Sequence, residues 1–215
     1  MFIRNLLSRK NTYFIADTHF DHGNIIRYCH RPFPTVDGMN RTLVKNWNST
    51  VEDGATVYFL GDWAFGRECK PASYWTSILN GRIISIRGSH DSLQRGMRFY
   101  THKVLHIDKY KFLLIHDPYK RPTDWEGWVI HGHKHNKCPF IDGVSKTINV
   151  SVEVINYTSI SLDSLLCLNI DSIKSMWTID SEPERRQGHS ENAADLRLYC
   201  APNLAHTDFV KEDVR

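Results

Sequence analysis

Residues 12–19 read TYFIADTH. The run from Thr12 to Ala16 is β-branched, aromatic and apolar, as a buried strand requires, and it stops at Asp17, which opens a loop carrying His19 two positions on. The same pattern returns four times. TVYFL (56–60) ends in Gly61-Asp62, RIISI (82–86) runs into Gly88-Ser89-His90-Asp91, KFLLI (111–115) ends in His116, and WVIHGHKH (128–135) carries Gly132-His133-Lys134-His135. Loops that leave the ends of strands gather at one edge of a sheet, so carboxylates and imidazoles far apart in the chain are expected to converge there.

The segments between these motifs supply the other layers. Residues 37–50 (DGMNRTLVKNWNST) place Met39, Leu43 and Trp47 at helical spacing, and 71–80 (PASYWTSILN) reads as a helix that starts at a proline and ends before Gly81. VLHID and KFLLIHD, joined through Lys109-Tyr110-Lys111, read as an antiparallel hairpin. TINVSVEV (147–154) and SMWTI (175–179) read as further strands, and Ser161 as the cap of a helix through Leu165 and Leu168. Helix–strand alternation followed by strand-rich sequence implies an α/β architecture of layered sheets with helices outside. One domain over residues 1–180 is expected, then a polar C-terminal tail, 181–215, either disordered or used for docking.

Composition narrows the function classes. With 215 residues, 41% of them hydrophobic, the chain can bury one sizeable core, and a net charge of +3 is too small for a broad duplex-binding footprint. The five cysteines are odd in number and form no Cys-x-x-Cys pair, which argues against a zinc ribbon or disulfide framework and for a reducing compartment. No secretory signal and no membrane-length apolar run is visible, so a soluble cytoplasmic protein is expected. Aspartate and histidine donors suit first-row divalent ions without any thiolate. Two such ions about 3.5–4 Å apart need a bridging carboxylate, and Asp62, turned sharply into the site by Gly61, is the candidate.

In order and spacing, the motifs at Asp17-Thr18-His19, Gly61-Asp62, Gly88-Ser89-His90-Asp91, His116 and Gly132-His133-Lys134-His135 resemble the signature of calcineurin-like metallophosphoesterases, over about residues 12–155. The resemblance implies a four-layer αββα sandwich of two mixed β-sheets flanked by helices. It also implies two divalent cations: one at Asp17, His19, Asp62 and His135, the other at Asp62, His116, His133 and Ser89. Manganese is the expected metal, with iron, nickel or zinc as alternatives. In that scheme a hydroxide shared by the metals attacks phosphorus in line, His90 gives a proton to the leaving oxygen, and Asp91 orients the His90 imidazole. One departure stands out, because the family usually carries asparagine where this chain has Ser89. Serine is shorter and a poorer neutral ligand, so the second metal is held more weakly or through a water.

His22, Asn24 and Arg27, just after the first motif, are candidate substrate contacts, and Trp63, next to Asp62, is a candidate aromatic wall that stacks on a base. Arg31 and Lys134 read as ordinary exposed basic residues. The activity expected is hydrolysis of a phosphodiester or phosphomonoester of a nucleotide-like small molecule. Two alternatives are a nuclease acting on short or single-stranded nucleic acid and a degraded metal-binding scaffold. A small substrate is favoured over nucleic acid, since the catalytic core nearly uses up the chain; no membrane partner is expected.

Overall fold

The computed structural model describes residues 11–92, 97–180 and 184–185. Five strands form a first sheet in the order β10-β1-β2-β3-β4: β1 (Thr12–Ile15), β2 (Thr56–Phe59), β3 (Arg82–Ile86), β4 (Phe99–Tyr100) and β10 (Ile160–Ser161). The β1, β2, β3 and β4 neighbours are parallel, and β10 pairs antiparallel with β1. The second sheet runs β12-β11-β8-β9-β7-β6-β5, built from β5 (His102–Ile107), β6 (Tyr110–Ile115), β7 (Trp128–His131), β8 (Ile141–Asp142), β9 (Thr147–Asn149), β11 (Ile173–Met176) and β12 (Glu184–Arg185). Only β6–β7 and β7–β9 are parallel in it. This is the α/β arrangement of two mixed sheets; the helices are few and short.

Strand burial follows side-chain alternation. On β6, Phe112 and Leu114 join the main core, while Leu113 and Ile115 form a smaller cluster with Val129 under Trp125, so both faces of this strand are covered. Phe14, Val57 and Phe59 of the first sheet belong to the same continuous core as Phe112, Ile130, Phe140 and Ile148 of the second. Edge strand β5 alternates half-buried and exposed residues instead.

Four helices are present among the described residues: α1 (Gly23–Tyr28), α2 (Val36–Thr50), α3 (Ala72–Ile78) and α4 (Leu162–Cys167). The hydroxyl of Thr35 caps α2 by accepting from Gly38 N at 3.1 Å. The expected Met39-Leu43-Trp47 face is buried, and Trp47 packs against Phe59 and Trp63 with ring centroids 6.3 and 6.1 Å away. Each such side chain contributes roughly 1.5–3 kcal/mol of apolar burial. Ser161 caps α4 by accepting from Ser164 N, as its position suggested. No helix among the described residues is long and apolar enough to cross a membrane.

Two strands depart from the sequence reading. TINVSVEV belongs to the second sheet only through Asn149: Val150 and Ser151 cross over to pair in parallel with Ala16, and the chain turns from Val152. The last stretch pairs earlier than SMWTI, as Ile173–Met176, and leaves Trp177 half exposed. The tail at 181–215 falls outside the described residues, except that Glu184 and Arg185 pair with β11.

Candidate metal centre

All five motifs meet along the seam between the sheets. Asp17 and Asp62 follow β1 and β2, and their loops are tied together: Asp17 N donates to Gly61 O (2.9 Å) and His19 N to Asp62 O (3.1 Å). His116 and Gly132 follow β6 and β7, with Gly132 N donating to His116 O (3.1 Å). Val150 joins the halves, accepting from Ala16 N and donating to His131 O, each at 2.8 Å.

Two clusters of donor atoms result. One is Asp17, His19 and His135; the other is Asp62, His116 and His133; within each, the candidate ligand atoms lie no more than 4.8 Å apart. Asp62 Oδ2 stands between them, 3.5 Å from His19 Nε2 and 3.4 Å from His116 Nε2. Asp17 Oδ1, His19 Nε2 and His116 Nε2 are buried without any hydrogen-bond partner. Leaving a buried polar atom unpaired costs about 1–3 kcal/mol, so three together identify a place built for something outside the chain, and a divalent cation fits this donor set.

The surroundings orient these atoms. Asp17 Oδ2 accepts from His133 N (2.8 Å) and Ser151 Oγ (2.7 Å), which turns Oδ1 toward the cluster. Asp62 Oδ1 accepts from His90 N (2.8 Å). His116 Nδ1 lies 2.7 Å from Leu60 O and His135 Nδ1 lies 3.0 Å from Glu153 Oε1, contacts that place the proton on Nδ1 and leave Nε2 as the free donor. Glu153 is in turn held by Arg31, through Nε (2.9 Å) and Nη2 (2.7 Å), while Arg31 also donates to the carbonyls of Asp17 and Thr18. Arg31 is therefore a buried brace, not the exposed basic residue that the sequence suggested. Glu153 and Ser151 were missed as well, although a lone acidic residue inside VSVEVI was a visible sign of a buried ion pair.

Backbone strain is concentrated at the same residues. Asp17, His19, Asp62, His133 and His135 have φ of 58°, 47°, 64°, 70° and 50°, in the left-handed region. Asp and His tolerate it better than most side chains, yet each instance costs of order 1–3 kcal/mol and is characteristic of functional sites. Close approach adds a second constraint: a Cβ on Gly132 would lie 2.5 Å from Asp17 Oδ2 and 2.6 Å from Ala16 Cβ.

Electrostatics follow from this packing. Burial pushes the Asp17 carboxyl up. Burial acts the same way on Asp62, but the His116 imidazole, 3.4 Å away, outweighs it and holds Asp62 well below the usual carboxylate range. His116 is the mirror image: burial alone lowers it, and the carboxylates of Asp62 and Asp17 raise it to about 9. Burial keeps His19 and His133 below the ordinary histidine value.

Ser89 and His90 sit at the exposed rim, with Ser89 Oγ 3.5 Å from His133 Nδ1 and the His90 ring 5.6 Å from that of His19. The His22 ring is 5.4 Å from His19, whereas Asn24 and Arg27 are exposed on α1 and bonded to each other. Two residues take different places from those expected. Asp91 is not turned to the His90 imidazole: its carboxylate accepts from Asp62 N (2.9 Å), Trp63 N (2.9 Å) and Gly88 N (2.8 Å), clamping two site loops together. Trp63 is 1% exposed and stacks on Phe59 at 3.6 Å, because its apolar ring fills the core beneath α2. The aromatic bordering the site is Phe65, whose ring lies 4.5 Å from His90 and 4.8 Å from His22.

No family model matches the chain. The uncharacterised protein MJ1445 of Methanocaldococcus jannaschii is 47% identical over 180 residues, covering 81% of this chain and 99% of the relative. Among solved structures, the protein of unknown function AQ665 from Aquifex aeolicus is 25% identical and superposes with a TM-score of 0.55 over 73% of this chain and 98% of its own. The overlap with YfcE, a phosphoesterase from E. coli, is looser, at 17% identity and a TM-score of 0.38 over 65% of this chain and 77% of that one. The chain therefore belongs to one family with MJ1445, and the fold it shares with AQ665 carries the five motifs to one seam.

Proposed function

We propose that the protein is a phosphoesterase that works with two divalent cations, manganese first among the candidates, and hydrolyses a phosphodiester or phosphomonoester of a nucleotide-like small molecule. The reading is carried by one observation: two donor clusters that have Asp62 Oδ2 between them and contain three buried, unpaired ligand atoms. Asp17, His19, Asp62 and His135 would hold one ion, and Asp62, His116 and His133, with Ser89 beside them, the other. Bound there, the ions supply positive charge to the phosphoryl oxygens and make a water more acidic.

The rest falls to the chain. Asp62 is pinned through Oδ1 by His90 N, so its Oδ2 stays between the clusters. Glu153, Leu60 and Ser151 fix the rings and the carboxylate that would meet the ions. His90, at the exposed rim, is the proton donor: water adds to phosphorus, the ester P–O bond breaks, and the leaving oxygen takes the His90 proton, which solvent restores. Ser89 stands 3.5 Å from His133 and offers only a short hydroxyl, which favours weaker retention of the second ion.

A panel of aryl phosphoesters, cyclic nucleotides, nucleoside monophosphates and oligonucleotides, assayed with several metals and with metal content measured, tests the proposal. The His90→Ala protein keeps the backbone N–H that pins Asp62. It should therefore retain metal and lose rate, by roughly 10²–10⁴-fold, most with the poorest leaving groups. A protein that retains no divalent ion, or a His90→Ala variant as fast as the parent, refutes the reading.

A further inference from the structure

A cavity of about 450 Å³ lies against His90, lined by the loop that follows Trp63 and by the His90 segment. The His90 ring is 5.6 Å from that of His19, in a donor cluster, and 4.5 Å from that of Phe65, in the cavity lining. Given the reading above, a leaving oxygen that takes its proton from His90 directs its carbon skeleton into this cavity. The volume lies in the range of small-molecule sites.

The lining says what that skeleton carries. Phe65 presents 40% of its surface, a large aromatic face left open at the mouth. Arg67 is exposed, and no hydrogen bond or ion pair holds it among the described residues. Lys70, by contrast, is already committed: its ammonium lies 3.5 Å from Asp21 Oδ1 and over the rings of Tyr74 and Trp75. The acid in the lining, Asp91, is buried with its carboxylate taken by backbone N–H groups. The cavity thus offers one flat apolar surface and one uncompensated guanidinium, a fork suited to a carboxylate or phosphate.

We propose that this cavity is the leaving-group subsite, and that it takes an alcohol or phenol that carries a planar ring and a second anionic group, as a phosphorylated nucleoside does. Phe65 stacks on the planar part and Arg67 pairs with the anion. This rests on the phosphoesterase reading only for the word "leaving"; the binding site stands on the lining alone.

The test uses the full chain loaded with manganese and three monoesters: n-butyl, phenyl and 4-carboxyphenyl phosphate. The wild type should show a KM for the carboxyphenyl ester about fivefold below that for the phenyl ester, the scale of one partly exposed ion pair. Arg67→Ala should erase that ratio, raising KM for the carboxyphenyl ester to that of the phenyl ester. Phe65→Ala should raise KM for both aryl esters about fivefold more than for the butyl ester, the scale of one aromatic pair. Ligand-observed NMR with 4-hydroxybenzoate and phenol reads the same preference without turnover. Turnover whose KM ignores both substitutions overturns the subsite and leaves the phosphoesterase reading intact. Absence of turnover on every ester, with Arg67-dependent binding of 4-hydroxybenzoate retained, does the reverse: the cavity is confirmed as a binding site and the catalytic reading falls.

Discussion

Replacing Glu153 by glutamine removes a charge that faces two buried partners. Its Oε1 receives the Arg31 guanidinium at 2.7 and 2.9 Å and the His135 imidazole at 3.0 Å, and the side chains of Arg31 and Glu153 are 0% and 3% exposed. Breaking such a pair by removing one member costs about 3–5 kcal/mol. Arg31 would keep its bonds to the Asp17 and Thr18 carbonyls, so about 3 kcal/mol, the lower end, applies. For a domain of this size that is about 6–12 °C in Tm. Metal affinity should fall by about 10–100-fold, because His135 loses the carboxylate that orients it. Acid titrates the same pair. Burial alone would raise Glu153, but the Arg31 charge and then the His135 hydrogen bond pull it from 4.5 to about 2. A depressed carboxylate contributes stability above its unfolded value and loses it as pH falls through the folded one. In metal-free protein the Tm gap between parent and Glu153→Gln should therefore close between pH 4.5 and about 2. Calorimetric melting across that range, with metal titrations at neutral pH, measures both quantities. A variant within 2 °C of the parent at neutral pH and equal to it in metal affinity would refute the reasoning.

Asp62→Ala removes the oxygen shared by the two clusters, and metal analysis should find both ions lost, with turnover abolished. Ser89→Asn lengthens the side chain at the rim beside His133 and should raise occupancy of the second ion; an unchanged metal-to-protein ratio would disprove the account of that position. Gly132→Ala forces Asp17 or Ala16 to move, and should lower stability by about 1–3 kcal/mol in denaturant melts while weakening metal binding.

Much of the site was legible because each motif ends an apolar run, where a change of composition marks the strand end. Asp17, His19, Asp62, His116, His133 and His135 converge for that reason. What stayed hidden depends on burial, which composition reports poorly for charged residues. Arg31 follows a polar helix and reads as solvent-facing, yet it lies beneath the first loop; its acceptor, Glu153, is 122 positions away. Asp91 was paired with its neighbour His90 by proximity in sequence, whereas in space its carboxylate has three backbone donors nearer to hand. Trp63 adjoins a site residue, but the residue after Asp62 points to the opposite side of the chain, into the core.

The seam has a mechanical consequence. Asp17, His19 and Asp62 come from one sheet, and His116, His133 and His135 from the other, so cations seated among them would act as rivets across the interface of the two slabs. Stripping them with a chelator leaves unmatched lone pairs facing one another at the joint. The apoprotein should then open first along that line, with amide hydrogens of the loops after β1 and β7 exchanging sooner than those at the opposite strand ends.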